Sequence, residues 1–188
     1  MPREAAFPAG PRPLRRRLRL LAPAILLAFL GCTGGSVNSV TGVTAVSKPF
    51  PRVAGASVHP DGGHIDTADF RGQPMVVNFW ATWCGPCLRE QPILQELWQR
   101  YKDRGVAFLG VDQRDDPAKA QGQLKDLGVT YPNISDLDGA YAADFGFFGL
   151  PDTYVVDRTG MIRYQVIGRI RDPAELAVLI DRMLAPSA

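Results

Sequence analysis

The run Met75-Val76-Val77-Asn78-Phe79-Trp80 is almost continuously apolar and of strand length, the pattern of a strand buried on both faces. After it, Leu94, Leu97, Trp98 and Tyr101 recur at i, i+3, i+4 and i+7, which predicts an amphipathic helix that Pro92 should kink. Val106 to Val111 is a second buried strand. Asp116-Pro117 opens a second helix as N-cap plus proline, with Leu124 and Leu127 facing inward and Gly128 ending it. The stretch from Tyr131 to Phe148 has a weaker pattern, with a short helix about Ala140 to Asp144. Thr153 to Val156 and Met161 to Val166 pair as an antiparallel hairpin across the Asp157 to Gly160 turn. A last helix starts at Asp172-Pro173-Ala174-Glu175 and buries Leu176, Leu179, Ile180 and Met183. Upstream, Asp61-Gly62-Gly63 makes a hairpin turn between Val58 and Ile65, and Asp69 to Pro74 connects it to the first core strand. The order β, α, β, α, then ββα predicts an α/β three-layer sandwich: a central mixed sheet, parallel at its core and antiparallel at one edge, with helices on both faces.

The first third of the chain has a different character. Arg15-Arg16-Arg17-Leu18-Arg19 precedes the apolar run Leu20 to Leu30, the layout of an export signal over residues 1–31. Eleven apolar residues interrupted by Pro23 are too few to span a bilayer, which takes ~20. Phe29-Leu30-Gly31-Cys32 resembles the bacterial lipobox, in which the cysteine is diacylated and becomes the new N-terminus. The alternative is a plain signal peptide cut nearby, leaving Cys32 free. Thr33 to Ala56 is rich in Gly, Ser, Thr and Val with little periodicity, so residues 32–56 are expected to form a flexible tether spanning roughly 25–30 Å. The folded domain is then 57–188. Six of the 21 basic residues but only one of the 19 acidic ones precede Cys32, so the remainder carries a net charge of −3. That balance offers no electrostatic case for nucleic acid.

Residue order by itself implies a reaction only at Trp83-Cys84-Gly85-Pro86-Cys87. A C-x-x-C pair where a buried strand meets a helix is a redox motif. The helix N-terminus has unpaired N–H groups and a partial positive charge, both of which favour a thiolate. Cys84, at the cap, is expected to attack a partner disulfide, and Cys87, a turn in and shielded, to resolve the mixed disulfide. Lipid on Cys32 would remove the third thiol from this chemistry and place the domain outside the cytoplasm, where disulfides persist. Half of a zinc site and a purely structural disulfide are the other readings of such a pair. Zinc needs two further ligands, and the only other candidates are Cys32, His59 and His64, all upstream. The two histidines fall on a surface hairpin and are given no role. Dithiol exchange requires no cofactor, and none is expected.

Asn78 to Cys87, followed by Arg89-Glu90 and Pro92, resembles the TlpA group of membrane-anchored thioredoxin-like proteins, which includes ResA and DsbE/CcmG. Gly149 to Asp157 is similar to that group's cis-proline segment, with an acid directly after the proline. Asp115-Asp116, Lys119-Ala120 and Leu124 to Gly128 are also similar to the DsbE/CcmG branch. The resemblance covers roughly Gly62 to Leu184 and implies a thioredoxin-like fold. It also implies a cis Leu150-Pro151 bond lying against Cys84, with the Leu150 backbone free to pair with a substrate strand. The implied activity is reduction of protein disulfides, notably in apocytochrome c before haem attachment. A membrane thiol protein would supply electrons to a monomer on the outer face of the cytoplasmic membrane. Thioredoxin has a buried aspartate where this chain has Asn78, and the resemblance offers Glu90, one turn beyond Cys87, as the substitute proton acceptor. An acid in the early turns of a helix is also favoured by the dipole alone. Gly85-Pro86 is the thioredoxin dipeptide and leans toward a reductant. The rivals are a disulfide-donating oxidase, a peroxidase, and a copper chaperone. The chaperone would use C-x-x-x-C and a downstream histidine, neither of which is present.

Overall fold

The structure, a computed structural model, describes residues 42–147 and 149–185. Strands β1 (Val43–Pro49), β2 (Ala54–Ala56), β3 (His64–Asp66) and β4 (Met75–Trp80) precede helix α1 (Gly85–Tyr101). Strand β5 (Ala107–Gln113), helix α2 (Pro117–Asp126), strand β6 (Asn133–Asp136) and helix α3 (Tyr141–Phe145) follow. Strands β7 (Asp152–Val156) and β8 (Met161–Ile167) and helix α4 (Pro173–Leu184) complete the chain. Six strands form one sheet in the order β1-β8-β7-β4-β5-β6; β4, β5 and β6 run parallel, and β7, β8 and β1 add antiparallel partners.

All six residues of β4 are buried because both faces of this central strand are covered. Val76 and Trp80 face a core built with Leu94, Leu97 and Tyr101 of α1, Leu124 of α2, and Leu176 and Ile180 of α4. Val77 and Phe79 face the other way, onto Leu109, Val111, Ile134, Phe145 and Tyr154. The predicted mixed sheet with helices on both faces is therefore what the chain forms, with α1, α2 and α4 on one side and α3 on the other. Asp116 Oδ1 accepts from the Ala118 N–H at 2.8 Å, and Asp172 Oδ1 accepts from the Ala174 N–H at 2.8 Å. Both caps are where the sequence puts them. Gly128, at φ 66°, takes the left-handed conformation that ends α2.

Two expectations are corrected. The tether over 32–56 and a domain starting at 57 do not hold at their boundary. Val43–Pro49 is an edge strand, with Val43 opposite Val166 and Pro49 opposite Met161, and Ala54–Ala56 pairs with His64–Asp66. An edge strand needs only half its residues covered, and here Val43, Val46 and Lys48 are the half-buried ones, so short and polar residues suffice. The second correction is β6, whose sequence Asn-Ile-Ser-Asp carries one apolar side chain. Its polar groups are used inside: Asn133 Oδ1 accepts from Trp80 Nε1 at 2.9 Å, and Asp136 Oδ1 from the Ala140 N–H at 2.9 Å. The Asn133 side chain crosses directly over Gly110, where an added Cβ would lie 1.7 Å from Oδ1. The export signal and Cys32 lie outside the described residues. Among the described residues no helix is long and apolar enough to cross a membrane.

Candidate active site

β4 delivers the chain to the start of α1, and the turn between them carries the cysteines. Cys84 is the N-cap, with extended backbone (φ −92°, ψ 93°), and its Sγ accepts from the Cys87 N–H at 3.2 Å. Pro86 occupies the first turn, where an N–H has no partner to lose. The two cysteines are joined as a disulfide with their α-carbons 5.3 Å apart, inside the range such a bond requires. Cys84 is 5% exposed and Cys87 fully buried, so the outer sulfur is the one at the cap. Trp83 beside it is among the most exposed large apolar side chains described, at 63%. α1 continues through Pro92 to Tyr101.

The Leu150-Pro151 peptide bond is cis. Pro151, Leu150, Pro86 and Arg89 line one groove, which brings the proline loop alongside the first turn of α1. Glu90 lies under that turn and is fully buried. Its Oε1 accepts from Asn78 Nδ2 at 2.8 Å, and its Oε2 from the Ile170 N–H at 2.9 Å. The Asn78 amide also donates to Thr153 Oγ1 at 3.0 Å, tying β4 to β7 directly behind the proline. Burial pushes the Glu90 carboxyl up to about 7; the Ile170 N–H, the Asn78 amide and Arg169 oppose the rise. Cys84, Cys87, Pro151 and Glu90 are thus gathered around one helix end.

Of the other acids around this end, Asp152 and Asp115 stand out in the sequence only through the family likeness, and Asp112 not at all. Asp152, next after the cis-proline, is buried and raised to about 6 by that burial, although Tyr154 and Gln165 donate to it. Asp112, at the end of β5 opposite Trp80, is fully buried and raised to about 8 by burial and then by Asp115. Asp115 Oδ1 accepts from the Thr82 hydroxyl at 2.9 Å and its Oδ2 from the Thr82 N–H, which anchors the turn two residues before Cys84. The one sequence signal for Asp112 is an acid directly after a buried strand, and it does not distinguish this position from an ordinary loop. His59 Nε2 pairs with the Tyr131 carbonyl at 3.0 Å, an ordinary structural contact. Among the described residues no group of three or more His, Cys, Asp or Glu is placed to hold a metal ion.

The family model described as Redoxin matches residues 45–179. The chain is 36% identical over 143 residues to the thiol:disulfide interchange protein DsbE of Pseudomonas aeruginosa, covering 74% of this chain and 77% of that one. It is 30% identical over 108 residues to the thiol-disulfide oxidoreductase ResA of Bacillus thuringiensis, covering 57% and 62%. Among solved structures, a thioredoxin-family thiol:disulfide interchange protein from Chlorobium tepidum superimposes with a TM-score of 0.65 at 28% identity, over 76% of this chain and 99% of that one. A buried strand feeding a disulfide at a helix cap, a cis-proline beside it, and this likeness over most of the chain converge: the chain belongs to the Redoxin family, as a thioredoxin-fold thiol-disulfide oxidoreductase of the DsbE and ResA kind.

Proposed function

We propose that this enzyme reduces disulfides in exported proteins, with apocytochrome c before haem attachment as its substrate. The Cys84 thiolate attacks one sulfur of the substrate disulfide, forming a mixed disulfide and expelling the other substrate sulfur as a thiolate, which takes up a proton. Glu90 receives the Cys87 proton. The Cys87 thiolate then attacks Cys84 Sγ, releases the second substrate thiol and leaves the Cys84–Cys87 disulfide. Two electrons have passed from the enzyme's dithiol to the substrate, and a membrane thiol protein returns them. The Leu150-Pro151 segment aligns the substrate strand against Cys84. Lipid on Cys32 holds the domain at the outer face of the cytoplasmic membrane.

The observation that supports this mechanism is the closed Cys84–Cys87 bond at the cap of α1 with the buried Glu90 carboxyl, pushed up to about 7, one turn beyond Cys87. Its test is Cys87→Ala, which removes the resolving thiol. Expressed in the periplasm, the variant is expected to accumulate mixed disulfides through Cys84, with apocytochrome c among the partners. No partner above the level of a Cys84→Ala/Cys87→Ala control would exclude the mechanism, and partners without c-type cytochromes would exclude that substrate.

A further inference from the structure

Immediately beside the cysteines the surface is basic. A groove of about 570 Å³ runs between the first turn of α1 and the cis-proline loop, and Pro86, Leu150 and Pro151 share its lining with Arg89, Arg169 and Arg171. Arg89 and Arg171 are exposed and Arg169 is half-buried, near enough to Glu90 to hold its carboxyl down slightly. Arg89 is next to the fully buried Glu90; Arg169 and Arg171 flank Ile170, which is 1% exposed and whose N–H is fastened to Glu90 Oε2. The segment is fixed at its other end by the Gly168 N–H donating to the Pro151 carbonyl at 2.9 Å. Among the described residues none of the three arginines forms an ion pair. The acids nearest in the chain are engaged elsewhere: both Glu90 oxygens accept from Asn78 and Ile170, and Asp172 Oδ1 caps α4. This charge is local, since the chain from Cys32 onward is net negative.

We propose that this groove selects the substrate: an extended polypeptide segment that carries carboxylates beside the disulfide sulfur attacked by Cys84. The proposal rests on the reductase mechanism above and adds its substrate preference. Three guanidiniums that form no ion pair among the described residues, Arg89 on the α1 side and Arg169 and Arg171 on the side of the proline loop, complement an acidic strand lying across Leu150-Pro151. Guanidinium forks match carboxylates in a bidentate geometry. Charges at the rim of a contact act mainly on encounter rate and are screened by salt. Each exposed pair is expected to contribute a few-fold at low ionic strength.

The test uses disulfide-bridged peptides identical except for Glu, Ser or Lys beside the cysteines, reduced by the pre-reduced protein. At low salt the kcat/KM for the Glu peptide is expected to exceed that for the Lys peptide by about 5- to 20-fold, three pairs of that size acting together. The ratio should fall toward one in 0.5 M NaCl. In Arg89→Gln/Arg169→Gln/Arg171→Gln the low-salt ratio is expected within twofold of one, and the corresponding Lys variant should restore it. If the triple Gln variant does not fold, the wild-type ratio and its salt dependence still decide. Equal rates for Glu and Lys peptides in the wild type would overturn the proposal while leaving the reductase in place. No reduction of any peptide would remove the reductase reading itself. Equal inhibition of both peptides by anionic phospholipid vesicles, without discrimination between them, would assign the arginines to the membrane surface and overturn the proposal.

Discussion

Among the described residues Glu90 forms no ion pair, with only the charge of Arg169 nearby, and both its oxygens are hydrogen-bonded, a combination that suits a carboxyl able to hold or release a proton. The folded protein raises it from 4.5 to about 7, so it is largely protonated at pH 6 and largely ionised at pH 8. As proton acceptor for Cys87, only its ionised form works. The rate of mixed-disulfide resolution should therefore rise through about pH 7 and level off above it. Glu90→Gln is expected to lower that rate about 100-fold, the low end for a positioned proton transfer, and to abolish the inflection. The fold should tolerate the change, because Asn78 Oδ1 has no hydrogen-bond partner among the described residues and a rotated Asn78 amide can accept from the new amide. Stopped-flow resolution of a preformed Cys84 adduct across pH 5.5–9 measures this. An unchanged profile would leave Glu90 only its structural task of fastening Ile170.

Between β4 and β5 the strand ends carry a second buried acid, and it acts on the element as a whole. Asp112 is raised from 3.8 to about 8. A folded-state value above the unfolded one means that the folded form binds the proton more tightly. That contribution is complete below pH ~4 and is lost as pH rises through about 8. Wild-type unfolding free energy is therefore expected to fall from pH 5.5 to 8.5, and Asp112→Asn to reduce that fall by about 1–3 kcal/mol. Urea denaturation at the two pH values checks it; a variant with the wild-type slope would show that Asp112 is ionised in the fold. Glu90 and Asp152 are shifted in the same direction, so a residual slope should persist. The legibility of these elements follows their burial. β4, β5 and the helices α1, α2 and α4 were readable because large apolar residues occupy the covered positions at the right period. β1 and β6 were not, because both lie at sheet edges: β1 mixes Val and Ala with Thr, Ser and Lys without strict alternation, and β6 carries Ile134 alone among Asn, Ser and Asp. In the site, the cysteines stood out by spacing alone, and Glu90 and Pro151 only by likeness to relatives. The Asp115 anchor on Thr82 and the arginine groove depend on tertiary approach across about 30 and 80 residues of chain, which no local pattern encodes.

At the scale of the whole molecule, the sheet brings a strand end, a helix cap, a proline loop and the β8–α4 connection to one point, and the dithiol sits where they meet. The Redoxin match over residues 45–179 spans all of these parts, so the site belongs to the fold and is not grafted onto it. The central claim is that this pair cycles as an electron donor. Thioredoxin, which has the same Gly-Pro between its cysteines, lies near −270 mV, and the oxidant DsbA near −120 mV. The direct measurement is the equilibrium reduction potential of Cys84–Cys87 against a glutathione redox series at pH 7, read by thiol alkylation. A potential below about −200 mV is expected; one above about −150 mV would make the protein a disulfide donor and contradict the account.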